Sequence, residues 1–383
     1  MSPQEIVKKL SEFPYRGTGT VFEKPVLDFL VSLFDNQQVS LESFHTPKTY
    51  ISVVWWLIGG LCTGLWLLNF IPLLGLLLVI GFVVLALLYL NWYPSLVTKF
   101  PPQVKSSNVV VRSKVSVSSS QKLILMAHYD TAPISFLYRI EQVGNFRKSL
   151  VISLLLMLIA IVFSVFVVAK IWIFSLWITN GLIIYFLLQG ITSTVDFFRL
   201  GYSNGASDNA TGVAAAIATA QRLWQNPPND LAVELVLTGA EETGMIGARA
   251  YFLKNQQSFH KHTYLLNFDT LGAGDLKVIT QTGSLVSIQY DNSLTQIAQQ
   301  VIEKSADFQN VSTGSWHTAD FDSVWFQRVG MPCLTLAALD QNGQMPRIHR
   351  PEDTLEKVDF RPMEQAIDLA EKIARGIEST KKR

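Results

Sequence analysis

Residues 122–131 read KLILMAHYDT. A short, mostly apolar run stops abruptly at a histidine, a tyrosine and an aspartate. A run of that length suits a buried strand. Polar groups at its end suit a binding rim, because ligands of open α/β sheets sit just outside the carboxyl ends of the strands. The pattern recurs twice: AVELVLTGA (232–240) runs into Glu241 and Glu242, and TYLLNF (263–268) runs into Asp269. Further strands are expected at 109–115 and 333–337, and helices at 211–224, 244–255, 293–304 and 362–377. The last helix opens at Pro362 and carries Ile367, Ala370, Ile373, Ala374 and Ile377 on one stripe. Strands alternating with helices predict an α/β fold: a mostly parallel or mixed central sheet with helices on both faces.

Two further segments concentrate polar chemistry, SDNATG (207–212) and HRPEDT (349–354). With the three strand ends they supply two histidines, His128 and His349, and the carboxylates Asp208, Glu242 and Asp269. Imidazole and carboxylate suit zinc, with cobalt or manganese as substitutes. Two His, two Asp and one Glu can hold two metals if one Asp bridges, leaving a position for a shared water. Two ions so placed lower the pKa of a bound water to about 7 and clamp a hydrolytic transition state. In the adjacent Glu pair, one carboxylate can ligate while its neighbour takes the water's proton.

In order, these motifs are HxD, DNxxG, EE, NxD and HxxxD, and a chain carrying them resembles the M28 family of zinc aminopeptidases and carboxypeptidases. The resemblance spans about 12–377. It implies that His128 and Asp269 hold one metal, Glu242 and His349 the other, and that Asp208 bridges two Zn2+. It makes Glu241 the general base and Asp130 the carboxylate that orients His128. It also implies a cis peptide at Asp208–Asn209. FPYRGTG (13–19) resembles the family's opening Arg/Gly loop, and FDSVWFQRVGMP (321–332) resembles a family segment whose matching acid, here Asp322, would shape the substrate pocket. The implied activity is exopeptidase action on short peptides, aminopeptidase ahead of carboxypeptidase. Arg347 and Arg350 beside His349 keep the carboxypeptidase option open. The other readings are a non-catalytic scaffold on the same fold and a glutaminyl cyclase-like activity using one metal. One departure is plain: the bridging Asp normally follows HxD closely, whereas here a hydrophobic insertion separates positions 128 and 208.

That insertion is one of two. Stretches at about 50–70, 71–92, 150–169 and 171–189 are apolar and about as long as a bilayer core requires. They predict two transmembrane hairpins, 50–92 and 150–189. The polar segments 1–49, 93–149 and 190–383 then share one side and form a single peptidase domain. Lys48, Lys99, Arg139, Arg147, Lys148 and Arg199 flank the spans on that side, against Lys170 alone on the other. The positive-inside rule places the peptidase domain in the cytoplasm of a multi-pass membrane protein. Charged residues make up 16% of the chain, below the soluble average of about 25%, as lipid-facing segments require. A net charge of +1 gives no sign of a nucleic-acid footprint, and two cysteines offer no disulfide framework. The first 17 residues lack an apolar core, so no cleavable signal peptide is expected.

Overall fold

A computed structural model describes residues 1–114, 119–172, 174–259 and 261–380, with side chains to 377. Val115, the end of one expected strand, and position 173, inside one expected span, lie outside the described residues. The helices are α1 (Pro3–Ser11), α2 (Glu23–Ser32), α3 (Tyr50–Leu67), α4 (Pro72–Leu90), α5 (Phe146–Ala169), α6 (Ser175–Leu200), α7 (Gly212–Gln225), α8 (Ile246–Asn255), α9 (Ser293–Lys304), α10 (Val324–Gln327) and α11 (Arg361–Thr380). The strands are β1 (Gln38–Pro47), β2 (Gln103–Arg112), β3 (Gln121–His128), β4 (Leu231–Thr238), β5 (Thr263–Asp269), β6 (Asp275–Thr282), β7 (Ile288–Gln289), β8 (Ser312–Ser315) and β9 (Cys333–Leu339).

One mixed sheet runs in the order β1-β2-β4-β3-β5-β9-β6-β7, with β8 also paired to β6. Its centre, β4-β3-β5-β9, is parallel, while β1 and β2 run antiparallel to their neighbours and β6 runs antiparallel to β9 and β7 but parallel to β8. Side chains alternate between faces along each strand. Leu123, Leu125 and Ala127 of β3 therefore join the larger core with α1, α2, α7 and α11. Ile124 and Met126 point the other way, into a second core with Tyr251 and Phe326. Both faces are covered, which is why the central strands read as nearly continuous apolar runs. The start of α9 is capped locally: the Asn292 side chain accepts the N–H groups of Leu294 and Thr295.

Four long apolar helices, α3 to α6, are long and apolar enough to cross a membrane by length and composition. They close a ring: α3 packs on α4 and α6, and α5 packs on α4 and α6. Gly64 brings α3 close to α4, since a Cβ there would lie 2.9 Å from the Val79 amide nitrogen. Large apolar side chains such as Trp66, Leu73, Leu155 and Trp177 face outward and exposed. Helix α6 runs eleven residues past the expected end at 189, because Thr194 and Asp196 turn inward, buried. Asp196 accepts from the Arg139 guanidinium at 2.5 and 2.8 Å, pinning the end of α6 to the loop after β3.

Both apolar excursions leave and return at one place. Thr46 and Pro47 pair with Val104 and Gln103 across the first. Across the second, Ser203 N–H donates to Ala132 O and Ile134 N–H to Gly201 O, each at 2.9 Å. The sheet therefore closes over the insertions without displacing the strand ends.

Candidate metal centre

His128 is the last residue of β3 and lies opposite Thr238 of β4, while Asp269 ends β5 opposite Ala337 of β9. Parallel pairing brings all four strand ends to one rim. Glu241 and Glu242 follow β4 in a sharp turn, His349 lies in the loop after β9, and Asp208 lies in an irregular turn before α7. The Asp208–Asn209 peptide is cis. Ala240, Met245, Thr270 and His349 all have positive φ without being glycine. Such strained residues cluster at ligand sites, where the surroundings over-determine the backbone.

The side chains converge in two sets. His128 Nε2 lies 3.4 Å from Asp208 Oδ1 and 3.6 Å from Asp269 Oδ2. His349 Nε2 lies 3.4 Å from Asp208 Oδ2 and 3.0 Å from Glu242 Oε2. The two oxygens of Asp208 thus face two different histidines. His128, Asp208 and Glu242 offer ligand atoms within 4.8 Å of one another. A tetrahedral zinc with bonds of about 2.0–2.1 Å separates its ligand atoms by about 3.3 Å, the spacing seen within each set. Asp208 Oδ2, Glu242 Oε1 and His349 Nδ1 are buried without a hydrogen-bond partner. Orphaned buried polar groups of this kind are costly unless a cation or water meets them. The residues present therefore fit a metal.

A supporting layer holds these groups. Asp130 accepts the backbone N–H groups of Glu241 (3.1 Å, Oδ1) and Glu242 (3.2 Å, Oδ2), and Thr18 Oγ1 donates to Oδ2. The same Oδ1 lies 3.6 Å from His128 Nδ1. Asp353 accepts the N–H groups of Ser207 and Asp208 at 2.7 and 3.0 Å. Asn209 ties the turn to the end of β5, donating to Phe268 O and accepting from Thr270 N–H, both at 3.0 Å. Arg16, fully buried, donates to the carbonyls of Tyr129, Asn204 and Gly205, clamping the chain on either side of the second insertion. The ring of Tyr138 lies 4.2 Å from that of His349.

The charge balance is lopsided. Among the described residues, Asp130, Asp208, Glu242 and Asp269 have ion-pair contacts only with histidine. Burial and the charge of Asp208 hold Glu242 well above the usual carboxylate range. Burial, Glu242 and Asp322 do the same to Glu241. Burial opposes protonation of His128, but Asp269, Glu241 and Asp130 together raise it well above an ordinary histidine. Asp208 is lowered: burial works against this, and His128 and His349 outweigh it. Burial lowers His349 and brings Arg16 down to about 10. Burial and Asp208 push Asp353 up to about 6. Bound cations would relieve this crowding of like charge.

A cavity of about 300 Å³ opens on the cluster, lined by His128, Asp208, Glu241, Glu242, Asp269 and His349. Asp322 departs from its expected place at the substrate pocket. It is fully buried behind the rim, accepts from Thr238 Oγ1 and lies outside the cavity lining. Burial pushes it up to about 7. The lining carboxylate of that segment is Asp320, which accepts from the Trp92 indole at 2.6 Å. Sequence reasoning missed Asp353, Tyr138 and Thr18. Of these, only Asp353 carried a signal, as the last acid of HRPEDT.

A mixed α/β sheet with a candidate metal site at the carboxyl rim of its parallel strands defines the class of this protein. Within that class, the model of peptidase family M28 matches residues 192–374 of this chain. The chain is 25% identical over 184 residues to Aminopeptidase YwaD of Bacillus subtilis (strain 168), which covers 46% of this chain and 38% of that protein. It spans less than half the length of the curated relatives it matches. Two solved structures share the fold. A glutaminyl cyclase of Tannerella forsythia superposes with TM-score 0.59 at 13% identity, covering 98% of this chain and 97% of that one. The LapA aminopeptidase of Legionella pneumophila gives 0.56 at 11% identity, covering 99% and 69%.

Proposed function

We propose that this chain is a membrane-embedded, dinuclear zinc exopeptidase, an aminopeptidase ahead of a carboxypeptidase. The observation that carries the reading is the pair of 3.4 Å approaches from the two oxygens of Asp208 to two different histidines. In this reading His128 and Asp269 hold one ion, His349 and Glu242 the other, and Asp208 both. When bound, the ions supply polarisation of the scissile carbonyl and acidification of a water. Glu241 lines the cavity beside them and takes the proton of the attacking water, then returns it to the leaving amine. Asp130 keeps Glu241 and Glu242 in place by holding their backbone N–H groups. Asp322 acts from behind, through Thr238 at the end of β4.

Aminopeptidase action is favoured by the relative named as one. A carboxypeptidase would want free guanidinium groups, whereas Arg347 and Arg350 both donate to backbone carbonyls, of Lys357 and Tyr138. The four apolar helices are read as two transmembrane hairpins, with the peptidase domain of 1–49, 93–149 and 190–383 on the cytoplasmic side. Hydrolysis of free and N-blocked aminoacyl substrates by the wild type and Glu241→Gln tests the activity. Cleavage confined to free amines, with kcat reduced about 10²–10⁴-fold in the variant, is expected. Equal rates in the two proteins refute Glu241 as the base. Release of a cyclised N-terminal glutamine in place of a free amino acid establishes the cyclase alternative.

A further inference from the structure

The cavity at the candidate metal centre does not stop at the rim. It continues between the four apolar helices, walled by Leu57 and Ile58 of α3, Ala86 of α4, Leu154 and Met157 of α5, and Phe186 of α6. Along α5 its lining runs from Phe146 to Met157, about 16 Å at 1.5 Å per residue. Within this wall Gln189 donates to Ser153 Oγ. The space thus joins a mainly apolar chamber to the cluster of acids and imidazoles.

From this continuity we infer that the substrate is an amphiphilic amide whose long aliphatic chain lies in the helical chamber while its scissile bond lies at the rim. The inference rests on the hydrolytic reading above and names its substrate class. A substrate helix is excluded by the closed ring of α3, α4, α5 and α6, because a helix some 10 Å wide would have to push packed neighbours apart. A flexible alkyl chain threads such a lumen. The reaction balances as simple hydrolysis. Water adds its oxygen to the amide carbon, the C–N bond breaks, and the leaving nitrogen takes the proton. A carboxylic acid and an amine result, one of them carrying the chain.

The test uses the full-length, zinc-loaded protein in one detergent at fixed micelle concentration. Two substrate series are compared: N-acetyl, N-hexanoyl and N-dodecanoyl amino acids, and free-amine aminoacyl amides of ethyl-, hexyl- and dodecylamine. The series separate a chain on the acyl side from one on the amine side. Each methylene buried from water is worth up to about fourfold. After competition from the micelle, kcat/KM is expected to rise at least about tenfold from the six- to the twelve-carbon member of one series. Met157→Trp, which fills the lumen, brings that ratio back toward one. Leu158→Trp, on the exposed outer face of α5, leaves it as it was. A flat chain-length dependence in both series, or a ratio that survives Met157→Trp, overturns the inference. If neither series is cleaved, the hydrolytic reading fails by itself. Calorimetric binding then decides the chamber: dodecyl compounds binding tighter than ethyl ones keep it, and equal binding removes it.

Discussion

Replacing Asp130 with asparagine changes one oxygen into an amino group and leaves the shape intact. Both oxygens are used: Oδ1 takes the N–H of Glu241 and faces His128 Nδ1, while Oδ2 takes the N–H of Glu242 and the hydroxyl of Thr18. Either orientation of an asparagine amide therefore sets an N–H against another N–H in a fully buried place. One charge-assisted hydrogen bond is lost and one buried donor goes unmet, costing about 1–3 kcal/mol. The carboxylate 3.6 Å from His128 Nδ1, proposed to orient that ring together with the Asp130 backbone carbonyl at 3.2 Å, is lost as well. Losses of this kind weaken metal affinity about 10–100-fold. The assay is a zinc titration against a competing chelator, with thermal unfolding of the metal-free and loaded forms. Weaker zinc binding together with a lower unfolding temperature in both forms is expected. Unchanged zinc affinity in a folded Asp130→Asn protein would refute the role assigned to this carboxylate.

Two further outcomes follow from charge. In the metal-free protein, burial and neighbouring charge hold Glu242 above the ordinary carboxylate range and His128 above an ordinary histidine. Ligation needs Glu242 ionised and His128 neutral, so metal binding expels protons and apparent affinity rises with pH. Calorimetry in two buffers of different ionisation heat checks this, and an affinity that falls as pH rises contradicts it. The membrane reading predicts opposite exposure of the two ends of the bundle. A cysteine at Lys170, introduced after removal of the buried Cys62 and Cys333, is modified by an impermeant thiol reagent from the face opposite that which modifies a cysteine at exposed Lys99. Labelling of both from one face rejects the two-hairpin topology.

Much of the fold was legible because the central strands are buried on both faces. β5 is buried at all seven positions, so TYLLNFD reads as a strand without help from its neighbours. Strands outside the parallel centre were not legible for the opposite reason. β1 is half exposed and mixes Ser, Glu and His with apolar residues, and β6 presents only four buried positions of eight. Their conformation comes from ladder pairing with β2 and β9, a long-range term that local composition does not contain. The reach of α6 to Leu200 was hidden similarly, since Asp196 is tolerated only because Arg139 meets it. At the site, residues at strand ends announced themselves by apolar runs breaking into acids or histidine. Asp353 showed itself only as the last acid of HRPEDT, and its role stayed hidden because its partners are backbone N–H groups some 145 residues away. Asp322 misled for a related reason: an acid beside aromatic residues reads alike whether it faces a cavity or, as here, Thr238.

The central claim is a pair of cations sharing Asp208. Metal content of the purified, zinc-loaded chain by inductively coupled plasma mass spectrometry tests it most directly. The account predicts two zinc ions per chain, falling to one when His349→Ala removes the second histidine. A wild-type chain that retains one ion or none under saturating zinc contradicts it.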